Sequence, residues 1–132
     1  MPIVEWSDDF KLGNDEVDKE HWGIFALVTD LGDKRKRGAA HASIKTTIDA
    51  LVAYVRVHFE HEERMLEAAG YPGLEAHKKL HQALTRQVDG FRADFLRAPE
   101  DFDHDGFMAF LSNWLSDHIL VEDMEYAAFL KI

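Results

Sequence analysis

Apolar residues recur along this chain at helical steps, and polar residues fill the positions between them. Between Asp15 and Gly38, the residues Val17, Trp22, Phe25, Val28, Thr29 and Leu31 or Gly32 follow roughly a 3.6-residue period. This pattern predicts a first helix, capped by Asp15 or Asp18 and ended at Gly38. Its last turn carries Lys34, Arg35, Lys36 and Arg37, cations that complement the helix dipole. The pattern resumes from about Ser43 to Ala69, with Ile44, Ile48, Leu51, Val52, Val55, Phe59 and Leu66 on one face. Gly70 suits the position just past a helix end, and Tyr71-Pro72-Gly73 reads as a turn. A third helix is expected from about Leu74 to Leu96, stopping short of Pro99. Beyond the polar connector RAPEDFDHDG, where Asp103 or Asp105 can act as a cap, a fourth covers residues 107–129, with a break near Glu122 to Glu125.

Residues 1–14 read as an extended arm, interrupted by Pro2, Gly13 and Asn14 and held down by Trp6 and Phe10. There is no strand-like alternation of useful length and no internal repeat. The expected architecture is all-α: an antiparallel up-down-up-down four-helix bundle with an extended N-terminal arm, forming one domain over residues 1–132. Helices of about 20 residues run roughly 30 Å, so facing side chains meet in several layers.

Composition narrows the chemistry. The absence of cysteine excludes disulfides, thiolate nucleophiles and cysteine-based metal sites. A formal net charge of -10 argues against nucleic acid as a partner and against an anionic membrane surface. No apolar run approaches the roughly 20 residues of a membrane span, and the N-terminus lacks a signal-like pattern. A cytoplasmic location is expected.

What remains conspicuous is histidine. The stretch HFEHEERMLEAAGYPGLEAHKKLH holds four of the chain's eight. Residues four apart on a helix share a face, so His77 with His81, and His58 with Glu62, can each address one metal ion. His21 on the first helix and His118 on the fourth lie beside apolar neighbours. Either one alone reads as a hydrogen-bonded core residue. Together, five imidazoles near the apolar faces of four helices would be costly to bury unless something bonds them all, and a metal does that. His41 and His104 read as surface residues, and His61 as exposed or as support behind the site. Imidazole donors suit zinc, copper, iron and nickel. The Glu-x-x-His pairs of ferritin-like di-iron bundles do not occur here.

These residues fall into a family pattern. DKEH ending at His21, HFEHEE from His58, HKKLH from His77 and HILVED from His118 stand in order on four helices. In this the chain resembles hemerythrin, most closely its single-domain bacterial relatives, over nearly its whole length. The resemblance implies two non-heme iron ions joined by an oxo or hydroxo bridge. His77, His81 and His118 would hold one iron, His21 and His58 the other, with Glu62 and Asp123 bridging them. Such a set fills all but one coordination position, on the iron with two histidines, where O2 is expected to bind. Phe59, Trp114, Leu115 and Ile119 match the apolar residues that keep the O2 pocket dry, with Leu115 the first choice for lining it.

The implied function is reversible O2 binding for transport, storage or supply to an oxygen-consuming enzyme, without enzymatic activity and as a monomer. The alternatives are an O2 or redox sensing module that reports to a signalling partner, and a di-iron oxidoreductase acting on peroxide or nitric oxide. One ligand conflicts with a regular helix. His118 and Asp123 are five apart, about 140° around, whereas Glu122 lies at the step of four. The resemblance favours Asp123, and a π-type bulge or loosened helix end is therefore expected.

Overall fold

The structure is a computed structural model that describes residues 5–130. Pro2 lies outside the described residues. Helices α1 (Asp15–Lys36), α2 (His41–Ala69) and α3 (Leu74–Arg97) are followed by a composite fourth rod. That rod consists of α4 (His104–Trp114), a π-helical segment (Leu115–Asp123) and α5 (Met124–Leu130). Single 3₁₀ turns at Asp8–Phe10 and Pro99–Asp101 complete it, and no strand occurs among the described residues. The four rods form the expected all-α bundle. None of the described helices is long and apolar enough to cross a membrane.

Local chemistry sets the helix ends. Asn14, rather than Asp15 or Asp18, caps α1, its side chain accepting from Val17 N at 3.1 Å. Asp18 instead turns back to accept from Leu12 N at 2.7 Å, which ties the arm to the helix. Gly38 and Gly70 adopt φ of 65° and 70° and end α1 and α2 in the left-handed region that a side chain would strain. Asp103 caps α4 through Gly106 N at 2.9 Å. The arm packs as expected: Phe10 and Leu12 are buried, and the Trp6, Phe10 and Phe25 rings lie within 5.9 Å of one another.

The core is a continuous stripe from each rod. Leu51, Leu66 and Leu111 are wholly buried, and each such side chain contributes about 1.5–3 kcal/mol relative to exposure. Two expected members of the α1 face are not in it. Trp22 is 55% exposed and Thr29 is exposed, and the inward positions belong to His21, Ile24, Phe25, Val28, Leu31 and Gly32. The inward stripe places a histidine where the hydrophobic reading placed its tryptophan neighbour. His104 also departs from the surface reading, being half-buried with its ring edge-on to Phe102 at 5.0 Å.

Candidate metal centre

All seven candidate ligands come together in the bundle interior. His21 comes from α1, His58 and Glu62 from α2, His77 and His81 from α3, and His118 and Asp123 from the π segment, all buried. The register follows from helical steps: His58 and Glu62, like His77 and His81, point from one face because four residues advance slightly more than a turn.

The two carboxylates divide the imidazoles into two groups. Glu62 Oε1 lies 2.8 Å from His77 Nε2 and 3.1 Å from His81 Nε2, whereas its Oε2 lies 3.5 Å from His21 Nε2 and 3.3 Å from His58 Nε2. Asp123 repeats the division. Its Oδ1 lies 3.2 Å from His77 Nε2 and 3.1 Å from His118 Nε2, and its Oδ2 lies 3.2 Å from His21 Nε2. One oxygen of each carboxylate therefore faces the group of three histidines, and the other faces the group of two. Donor atoms of Glu62, His77, His81 and His118 lie within 4.8 Å of one another, as do those of His21, His58 and Glu62.

The residues fit a cation on chemical grounds as well. Nε2 of His21, His81 and His118 and both carboxylate oxygens of Asp123 are buried without hydrogen-bond partners. Each such atom costs about 1–3 kcal/mol when left unsatisfied. Imidazole and carboxylate donors in this proportion suit iron or zinc rather than calcium or magnesium.

The expected irregularity falls where the ligands need it. Met124 N donates to Ile119 O, five residues back, closing the π turn. This winding brings the fifth residue after His118 to its face. Asp123 is fully buried among the imidazoles, whereas Glu122 is half-buried and lines a surface groove.

Three residues behind the ligands were not singled out by sequence reasoning. Glu20 Oε1 accepts from His58 Nδ1 at 2.6 Å, and its Oε2 accepts from His61 Nδ1 at 2.8 Å. Glu63 Oε2 accepts from His81 Nδ1 at 2.7 Å. The Tyr126 hydroxyl donates to Glu62 Oε2 at 2.9 Å. Pinning Nδ1 in this way fixes the ring orientation and leaves Nε2 facing the centre. Glu63 was visible in the sequence as the last residue of HFEHEE. Glu20 and Tyr126 had no signal beyond standing next to His21 and three residues past Asp123. His61 is exposed and supports Glu20, and His41 is exposed.

The charges respond to this crowding. Burial pushes Glu62 up, but the imidazoles of His21, His58, His77 and His81 outweigh it and hold the carboxyl well below its usual range. Asp123 is also held down: burial and the Glu62 charge raise it, and the imidazoles of His118 and His21 prevail. Burial lowers His58, but Glu20 and Glu62 drive it up to about 9. His77 likewise rises to about 9, with Asp123 and Glu62 overcoming burial. Without metal, then, protons stand at positions that a cation would take.

Of the four expected pocket residues, Phe59 stacks on His81 with ring centroids 3.8 Å apart and planes 4° from parallel. Trp114 meets Phe59 edge-on at 6.1 Å, and its Nε1 is buried without a partner. Leu115 and Ile119 are buried on the π segment that carries His118.

Known proteins resemble this chain over most of its length. The family model described as "Hemerythrin HHE cation binding domain" matches residues 12–130. A bacteriohemerythrin of Pseudomonas aeruginosa (strain UCBPP-PA14) is 38% identical over 126 residues, covering 96% of this chain and 80% of that protein. One from Stenotrophomonas maltophilia (strain R551-3) is 34% identical over 131 residues, covering 99% of this chain and 84% of that protein. A myohemerythrin of Riftia pachyptila is 32% identical over 122 residues, covering 92% and 88%.

Proposed function

The chain belongs to the hemerythrin family, and from that premise we propose that it binds O2 reversibly at a non-heme di-iron centre. His77, His81 and His118 would hold one iron and His21 and His58 the other, with Glu62 and Asp123 shared between them. The observation that carries this reading is the division of each carboxylate between a group of three imidazoles and a group of two. Unequal groups would leave one iron a position short of protein donors, and that position would be the seat for O2. When bound, the iron pair supplies that position and the electrons that O2 takes up.

The chain's own residues do the rest. Glu20 and Glu63 orient His58 and His81 through Nδ1, and Tyr126 steadies Glu62. Phe59 covers the His81 ring. With Trp114, Leu115 and Ile119, it forms a dry apolar wall, which keeps outside protons from the bound gas. In this reading the protein is a carrier, store or supplier of O2 for an oxygen-consuming enzyme in the cytoplasm, and not itself an enzyme.

The test is an optical titration of the reduced, iron-loaded protein. A visible absorption band should appear with O2 and vanish under argon over repeated cycles, with about two irons per chain by metal analysis. Irreversible bleaching with release of peroxide would instead assign the protein to oxidoreductase chemistry, and a single zinc per chain would remove the premise.

A further inference from the structure

Three surface clefts reach the centre, and they differ in charge. One is lined by Glu16, Glu20 and Glu62 with Arg64 the only cation. A second, along α3 and the π segment, is mostly apolar and edged by Asp117 and Glu122. The third, between α2 and α3, has a volume of about 410 Å³ and is lined by Arg56, Phe59, Glu63, His81, Thr85 and Arg86. On a chain of net charge -10, it presents two guanidinium groups against one carboxylate, Glu63, whose Oε2 is taken by His81. Arg56 leans toward Asp89 at 3.3 Å. Arg86 donates to the Gln82 carbonyl at 3.4 Å and has no carboxylate partner among the described residues. A guanidinium without its own anion is the side chain best suited to a phosphate.

The cleft is also connected to the centre. Its lining includes Glu63, which accepts from His81 Nδ1 at 2.7 Å, and Phe59, whose ring lies parallel to His81 at 3.8 Å. Two short noncovalent contacts therefore join its wall to a proposed iron ligand, His81, which itself lines the cleft.

We propose that this cleft is the port for electrons, and that its occupant is a reduced flavin bearing a phosphate, of the FMN class. Arg86 and Arg56 hold the phosphate, and the planar ring lies toward Phe59. The volume falls within the range of about 300–1,000 Å³ usual for small-molecule sites. The proposal rests on the di-iron reading: a pair oxidised to ferric no longer takes up O2 and must be reduced before it can. An anionic donor that carries two electrons suits both the arginines of the cleft and the two-electron need of the pair. The reduced flavin gives two electrons, one to each ferric ion, and two protons that leave to solvent, and it departs as oxidised flavin.

The experiment uses the iron-loaded ferric protein with oxidised FMN, riboflavin and inorganic phosphate as probes. Binding is read by flavin fluorescence or, for phosphate, by competition. FMN should bind at least about tenfold tighter than riboflavin or phosphate. Arg86→Glu should abolish that preference, and Arg86→Lys should retain part of it. Arg97→Glu makes the same charge change at an exposed residue paired with Asp94, and it should leave FMN binding unchanged. Anaerobic reduction by reduced FMN, followed by loss of ferric absorption, should slow about tenfold in Arg86→Glu. Reduction by reduced riboflavin should not. Equal binding of FMN and riboflavin, equal binding of FMN and phosphate, or equal behaviour of Arg86→Glu and Arg97→Glu each overturns the port. O2 cycling is measured separately: its failure with FMN binding intact sinks the O2 reading and leaves the docking cleft standing.

Discussion

Replacing Tyr126 by phenylalanine deletes one oxygen atom from the wall of the centre and little else. Tyr126 is 1% exposed, and its hydroxyl donates to Glu62 Oε2 at 2.9 Å. Burial, then the charges of Glu62 and Asp123, push the phenol above its ordinary value, so it stays protonated and donates at neutral pH. Glu62 is ionised and has lost its water. A buried hydrogen bond to a charged acceptor is worth about 1.5–3 kcal/mol. The contacts left to that oxygen are longer, 3.3 Å to His58 and 3.5 Å to His21, and do not replace it. The phenylalanine ring keeps the edge-on packing against His77 and Tyr71, so the cavity contribution is small. The metal-free variant should therefore lose about 2 kcal/mol, a large share of a typical stability of about 5–15 kcal/mol. Urea unfolding at pH 7, followed by tryptophan fluorescence, should show a lower midpoint with an unchanged slope. In the metal-loaded protein the same oxygen faces a cation, and the loss should be smaller. A metal-free midpoint equal to that of the parent, or a larger loss with metal than without, would refute the reasoning.

Three further outcomes are expected. The metal-free protein should be most stable between the ordinary carboxylate range and about pH 6.5. His58 and His77 titrate near 9 when folded against 6.5 unfolded, so their stabilisation is complete below 6.5 and is lost as pH rises through 9. Glu62 and Asp123, held down when folded, lose theirs as pH falls below their ordinary values of 4.5 and 3.8; a urea midpoint that rises from pH 6.5 to 9 contradicts this. Leu115→Ala should cost about 2–5 kcal/mol and speed autoxidation of the O2-bound form by admitting water, and unchanged autoxidation removes Leu115 from the pocket wall. Glu20→Ala frees the Nδ1 side of His58 and should weaken metal affinity by about 10–100-fold in a chelator competition, where an unchanged affinity denies the orienting role.

The bundle could be read from the sequence because its helices carry a sustained apolar period, and their observed ends lie within a few residues of the expected ones. The reading failed where the core stops being apolar. On α1 the buried stripe runs through Val17, His21, Ile24, Phe25, Val28, Leu31 and Gly32, a regular helical face whose second member is polar. A search for hydrophobic positions slides from His21 to Trp22, about 100° around the helix. On α3 the buried residues are His77, His81, Val88 and Phe95, so half of that stripe is imidazole. The hydrophobic pattern is weakest where the function is strongest, and there only the spacing of chemical groups could locate the inward face.

The supporting residues were hidden for a different reason. Glu20 reaches His58 across 38 positions and Glu63 reaches His81 across 18, and these contacts are set by how α1, α2 and α3 pack rather than by any local step. Asp123 is the opposite case, a local feature that ordinary helical arithmetic misplaces. A regular turn would bring Glu122 beneath His118, and only the π winding of Leu115–Asp123 brings in Asp123. Asp123 is one atom group shorter than a glutamate, and its two oxygens reach His21 on one side and His77 and His118 on the other within 3.2 Å. The irregular helix and the shorter side chain thus compensate each other. The rod gives up α-helical regularity over one segment, and in exchange a carboxylate sits between two groups of imidazoles that come from all four rods of the bundle.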